Sequence, residues 1–191
     1  MRGQGAGHGW DHVQRVRMNA MKIAEHMRGL DCLIVELAAL LHDIGDAKFH
    51  DGQERSGEFS REILTGLAVD RDVIDQIVHI VDNISFRKGE SAEPLSPEGE
   101  VVQDADRLEA LGAIGIVRTI EYGASFDQPF YSSDPNRKTG VDHFYEKLFK
   151  LHDLMNTEAA KQEAKRRELF MRSFLDQFMD ECGQISDAAR E

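Results

Sequence analysis

His42 and Asp43 stand side by side at the end of an apolar run from Leu33 to Leu41. A neutral imidazole nitrogen and a carboxylate oxygen are both good ligands for a divalent first-row metal ion. Neighbouring residues diverge by about 100° on an ideal helix and normally cannot share a partner. At a helix end, where the backbone relaxes, they can. The same dipeptide also occurs as a plain surface pair, so two other segments bear on the reading. His12 shares a helical face with Val16, Ala20 and Ile23. It is therefore expected to point toward the core, where a histidine either makes ordinary hydrogen bonds or binds a metal. The stretch from Val101 to Leu108 holds Asp104 and Asp106. On a helical wheel at about 100° per residue, Asp106 falls between Val102, Ala110 and Ala113, whereas Asp104 falls near Arg107, Glu100 and Leu111, on or beside the polar face. A carboxylate inside an apolar arc is costly unless it is paired or bound to metal. Asp106 is thus expected to need a cation and Asp104 not. One divalent ion would satisfy His12, His42, Asp43 and Asp106 together.

Helices must position these residues, and almost every segment has helical periodicity. Val13, Val16, Ala20, Ile23, Ala24 and Met27 recur at three- and four-residue steps, and Gly29 ends that stripe. Asp31 suits the N-cap of a second helix, which Gly45 stops, leaving His42 and Asp43 on its last turn. Residues 56–68 and 70–85 read as two further helices. Gly89, Pro94 and Pro97 mark 85–99 as a loop. A fifth helix is expected from about Pro97 to Glu121, broken near Gly112. Residues 123–140, with Pro129 and Pro135, read as a long loop, a common form for lids and binding loops. Two helices follow over 142–182, with Phe170, Phe174, Leu175 and Phe178 on a core or interface face. The expected fold is all-α, a bundle of about seven helices without a sheet.

A chain of 191 residues suits one domain, with a core over about 8–122 and C-terminal helices over about 142–183 packed on it. A net charge of -12 makes it a poor partner for nucleic-acid polymers, since Lys and Arg contacts to phosphate supply most non-specific affinity. A small anion can still bind where a metal and a few cations invert the local potential. Cys32 and Cys182 match no metal or redox spacing, which fits free thiols in a reducing compartment. The first residues lack the apolar core of a signal peptide, and no stretch reaches the roughly 18 apolar residues of a membrane span. A cytoplasmic protein without membrane association, possible as a homodimer, is expected.

The order His, His-Asp, then a late Asp resembles the motif of the HD superfamily of metal-dependent phosphohydrolases. The flanks extend the likeness over nearly the whole chain: His8-Gly9-Trp10-Asp11-His12 with Arg15-Val16, Leu40-Leu41-His42-Asp43-Ile44-Gly45-Asp46, Asn83-Ile84-Ser85-Phe86 with Lys88-Gly89, Asp104-Ala105-Asp106-Arg107-Leu108, and Asp142-His143-Phe144-Tyr145-Glu146-Lys147-Leu148. They are similar to the small bacterial members. The resemblance implies an HD-domain helical bundle with His12, His42, Asp43 and Asp106 as metal ligands. It also implies hydrolysis of phosphate esters or anhydrides; some relatives of this kind cleave nucleoside triphosphates to the monophosphate and pyrophosphate. Two departures stand out. The usual subfamily has a further helix before the His-rich start, so the wall on that side is expected to be less complete or covered by a partner. Two-metal members carry further histidines after the His-Asp pair. Here that region offers His79, and Asn83 stands roughly where a second-metal histidine would be, so one metal is expected.

The expected metal is manganese, magnesium, nickel, cobalt or iron; two histidines with two carboxylates disfavour calcium. Asp46, four residues after His42, is the expected general base or water-positioning residue, or else a simple helix-end acid. Lys48 and Arg15 are expected phosphate contacts, Arg being the better fork, and His8 a donor to the leaving group. Arg87 and Lys88, in the Gly-containing loop, are expected to bind substrate phosphates. The expected partner is a small nucleotide or another phosphate ester. Phe126, Phe130 and Tyr131 offer faces on which a base could stack, or pins that hold the 123–140 loop to the bundle. A nucleotidase, a cyclic-nucleotide or alarmone phosphodiesterase, and a catalytically inactive sensor module are the competing functions.

Overall fold

The computed structural model describes residues 9–47, 50–85 and 92–183. Eight α-helices and one 3₁₀ segment, and no strand, occur among them: α1 (Trp10–Ala24), α2 (Cys32–Leu41), α3 (Ser56–Gly66), α4 (Arg71–Asn83), α5 (Pro97–Leu108), α6 (Gly112–Ser125), α7 (Gly140–Glu146), the 3₁₀ turn Leu148–Leu154, and α8 (Glu158–Glu181). The all-α expectation holds. The count rises from about seven to eight because Gly112, at φ +71°, separates α5 from α6; the region after Gly140 holds two α-helices as expected, with a 3₁₀ turn between them. No described helix is long and apolar enough to cross a membrane. The chain forms two compact units, residues 1–106 and 107–191.

In the first unit, α1 packs on α2, α2 on α4 and α3 on α4. Asp31 caps α2 as expected, accepting from the backbone N–H groups of Leu33 and Ile34 at 2.9 and 3.4 Å. Such caps are typically worth about 1 kcal/mol. The face α2 buries is Ile34, Val35, Ala38, Ala39 and Leu41, while Leu33 is exposed. Alanines on the buried face let neighbouring helices come close. α1 buries His12 with Val13, Val16, Ala20 and Ile23, so its stripe sets the histidine among core residues. α4 contributes Ile74, Ile77, Ile80 and Val81 at helical spacing.

In the second unit, the loop after α6 is anchored by its aromatics. The Phe130 ring meets Phe178, Phe144 and Phe174 at centroid separations of 5.1, 5.8 and 6.1 Å, and Tyr131 meets Phe178 at 6.0 Å. Backbone bonds from Gly140 to the Pro129 carbonyl and from Val141 to the Phe130 carbonyl, both 2.9 Å, close the loop. A Cβ on Gly140 would lie 2.7 Å from the Phe130 ring, so glycine is required for that approach. Phe130 and Tyr131 are therefore pins rather than free stacking faces. Phe126 is exposed and lies against Tyr122 at 4.6 Å. Phe174, Leu175 and Phe178 face inward as expected, but Phe170 is 54% exposed and leaves that set. Phe130→Ala is expected to cost about 3 kcal/mol, the low end for a buried Phe→Ala because the ring keeps some exposure. A thermal melt should fall by roughly 6–12 °C; an unchanged melt would mean the loop is not pinned there.

Candidate metal centre

The apolar run of α2 ends at Leu41, and His42 follows as the C-cap, with φ -55° and ψ -34°. Residues 42–45 continue as turns, with the Ile44 N–H bonded to the Leu41 carbonyl at 3.1 Å. This relaxed helix end lets His42 and Asp43 converge. The His42 ring is buried, and its Nδ1 donates to the Ala39 carbonyl at 2.9 Å. With the proton on Nδ1, the Nε2 lone pair of a neutral His42 faces the site, the arrangement usual for a metal-ligating imidazole. His12 Nε2, from α1, lies 3.3 Å from His42 Nε2.

Asp43 Oδ2 is 3.5 Å from His12 Nε2 and 3.6 Å from His42 Nε2. Asp106 Oδ1 is 3.4 Å from His12 Nε2 and 3.9 Å from His42 Nε2. His12, His42 and Asp43 form the tight group, and Asp106 reaches its edge. Two ligands at about 2.1 Å from one ion lie roughly 3.0–3.4 Å apart at octahedral or tetrahedral angles. The separations here run from 3.3 Å, within that range, to 3.9 Å, about half an ångström above it. Acceptor atoms this close also require positive charge among them, a proton or a metal ion. The residues present fit a divalent cation. Desolvation would raise the Asp106 pKa and so would the Asp43 charge, but with both imidazoles protonated the hydrogen bond from His12 and the positive charges of His42 and His12 outweigh them, and the pKa falls below the usual carboxylate value.

The carboxylates of α5 are arranged differently from the wheel reading. Asp104 is 0% exposed, whereas the Asp106 side chain is 44% exposed. Asp104 is therefore not on the polar face, and Asp106 is not enclosed in an apolar arc. The reason lies in where α5 stops. The wheel ran through Ala110 and Ala113, but the helix ends at Leu108, so those alanines do not define its face. The buried face is Val101, Val102, Ala105 and Leu108. Asp104 lies about 40° from Leu108 and Asp106 about 40° from Val102, on opposite margins of that face. Asp106 thus reaches the histidines from the margin of the buried face.

Asp46 follows the turn that carries Asp43, its N–H bonded to the Asp43 carbonyl at 3.4 Å. Arg15 is half-buried on α1, one turn beyond His12. His8, Lys48, Arg87 and Lys88 lie outside the described residues. His79 and Asn83 hold the chain after the 85–91 stretch. His79 Nε2 donates to the Pro94 carbonyl at 3.0 Å, and Asn83 Oδ1 accepts from the Glu93 N–H at 3.0 Å. Glu54 carries no signal in hydrophobic periodicity, yet it bonds to the turn beside Asp46: its Oε2 accepts the Ala47 N–H at 3.4 Å.

The HD domain family model matches residues 9–111. The Bacillus subtilis protein YpgQ is 39% identical over 176 residues, covering 91% of this chain and 84% of YpgQ. The crystal structure of a HD-superfamily hydrolase from Bacillus thuringiensis has a TM-score of 0.78 at 41% identity, covering 94% of this chain and 89% of that one. The structure of B. subtilis YpgQ in complex with ADP has a TM-score of 0.78 at 35% identity, covering 92% of this chain and 87% of that one.

Proposed function

Because this chain belongs to the HD domain family and is a metal-dependent phosphohydrolase, we propose that it cleaves nucleotide phosphoanhydrides, converting a nucleoside or deoxynucleoside triphosphate to the monophosphate and pyrophosphate. The observation that carries the reading is the convergence of His12 Nε2, His42 Nε2 and Asp43 Oδ2, with Asp106 Oδ1 beside them. These four residues would hold one divalent ion, manganese, magnesium, nickel, cobalt or iron. When bound, such an ion neutralises phosphoryl oxygens and lowers the pKa of water. Support for a nucleotide comes from YpgQ, a relative whose structure contains ADP.

Each remaining role belongs to this chain's residues. Asp46 orients the attacking water and takes its proton as the new bond to phosphorus forms. The bond from that phosphorus to the bridging oxygen breaks, and His8 hydrogen-bonds the departing oxygen. Arg15 and Lys48, with Arg87 and Lys88, pair with the phosphates not engaged at the metal centre; several cations suit a polyphosphate better than a single monoester.

The test is to supply the metal-loaded protein with nucleoside triphosphates, diphosphates, monophosphates and cyclic nucleotides, then identify the products. Monophosphate with pyrophosphate is expected from triphosphates. Nucleoside released from monophosphates alone would make the protein a nucleotidase, and opening of a cyclic nucleotide alone a phosphodiesterase. Silence across the panel would favour a sensor module or a non-nucleotide substrate.

A further inference from the structure

We propose that Glu54 is a positioning residue for Asp46, a role that rests on the hydrolytic reading above. Asp46 lies between two residues whose backbones are each tied to the start of α3. On one side, the Gly45 carbonyl accepts the Arg55 N–H at 2.9 Å. The two strands of backbone are so close there that a Cβ on Gly45 would lie 2.4 Å from both Arg55 C and Ser56 N. On the other side, the Glu54 carboxylate bridges two segments. Its Oε2 accepts the Ala47 N–H at 3.4 Å, while its Oε1 accepts the Ser56 N–H at 3.0 Å and also the Ser56 hydroxyl. Ser56 is buried at the first position of α3, so the carboxylate sits at a helix N-terminus, where negative charge is favoured.

The Ala47 carbonyl completes the arrangement by accepting the Gly52 N–H at 2.9 Å. The backbone beneath Asp46 is thus held on both sides by the residues that lead into α3, a segment that contributes nothing to the His-Asp cluster itself. The Gly45 tie is backbone to backbone and survives most substitutions. The Ala47 tie depends on one side chain. Removing it leaves the C-terminal side of Asp46 held only by the Ala47 carbonyl's bonds to His50 and Gly52, which loosens it while His42 and Asp43 stay anchored through α2. Displacing a catalytic group by about 1 Å can cost on the order of 10²-fold in rate. The effect should fall on kcat and spare metal binding.

The experiment compares Glu54→Ala and Glu54→Gln with the wild-type chain. Each is made alone and in an Asp46→Asn background, with Glu58→Ala as a control at the same helix start. Glu58 bonds to Arg55. Glu54→Ala is expected to lower kcat about ten- to a hundredfold with KM and metal content unchanged. Glu54→Gln, with a single accepting atom, should lose less, and Glu58→Ala nothing. In the Asp46→Asn background, Glu54→Ala should change kcat by less than about twofold, as expected of two residues that act as one unit. Hydrogen exchange of the Ala47 amide should accelerate in Glu54→Ala. Full kcat in Glu54→Ala, an equal fractional loss in both backgrounds, or loss of metal would each overturn the role. Unchanged Ala47 exchange would overturn it whatever the substrate. A wild-type chain inactive on every phosphate compound would instead defeat the hydrolytic reading.

Discussion

Replacing His42 or Asp43 by alanine should abolish metal binding and hydrolysis together. Each variant removes a donor from the tight group at the end of α2, where the separations to His12 are 3.3 and 3.5 Å. Loss of a residue that only supports a ligand typically costs 10–100-fold in metal affinity; loss of a ligand itself should cost more. Asp106→Asn should weaken the metal as well, because an amide carries no charge to set against the cation. Asp104→Asn should behave differently. Asp104 is fully buried two residues away, so its change is expected to lower the melting temperature while the folded fraction retains metal. Elemental analysis of the purified variants, with thermal melts and initial rates, reads all four. Metal retained in both the His42→Ala and Asp43→Ala variants would sink the assignment of the centre. Metal lost from Asp104→Asn but kept by Asp106→Asn would exchange the roles of the two α5 carboxylates.

The second large effect is expected at Asp46. Asparagine matches aspartate in shape but cannot accept the proton of the attacking water. General acid–base catalysis is typically worth about 10²–10⁴-fold, and kcat of Asp46→Asn should fall within that range with metal content unchanged. Because Asp46 lies on the same turn as Asp43, parallel metal analysis is needed to separate a lost base from a lost ion. Wild-type turnover in Asp46→Asn would reduce the residue to an ordinary acid at a helix end.

Much of this molecule was legible in one dimension. Helical periodicity located the elements that carry His12 and the His42-Asp43 pair, and Asp31 and Gly112 marked where helices begin or break, whereas α1 stops at Ala24, before Met27 and Gly29. Residue chemistry alone singled out two imidazoles and two carboxylates as a ligand set, because few other arrangements reconcile a core-facing histidine with nearby acids. The helix readings succeed because they depend on local forces: caps, turns and the 3.6-residue repeat.

What the tertiary structure decided depends on contacts between distant segments. A wheel reports faces only while the helix continues: α5 stops at Leu108, so Ala110 and Ala113 do not enclose Asp106, and the burial of Asp104 and Asp106 is the reverse of that expected. The aromatic loop residues could have served either as a stacking surface or as anchors. Only the packing of Phe130 against Phe144, Phe174 and Phe178 selected the anchors. Glu54 lies seven residues beyond Ala47 with no periodic relation to it, and their bond exists because the chain returns to the start of α3. The sequence by itself determined which groups could do the chemistry and which helices carry most of them; the tertiary structure decided how the two α5 carboxylates are buried and which bonds tie the backbone on either side of Asp46. The difference is physical: a helix face is set by neighbours a few residues away, whereas a metal centre and its supports are set by where separate segments end and meet.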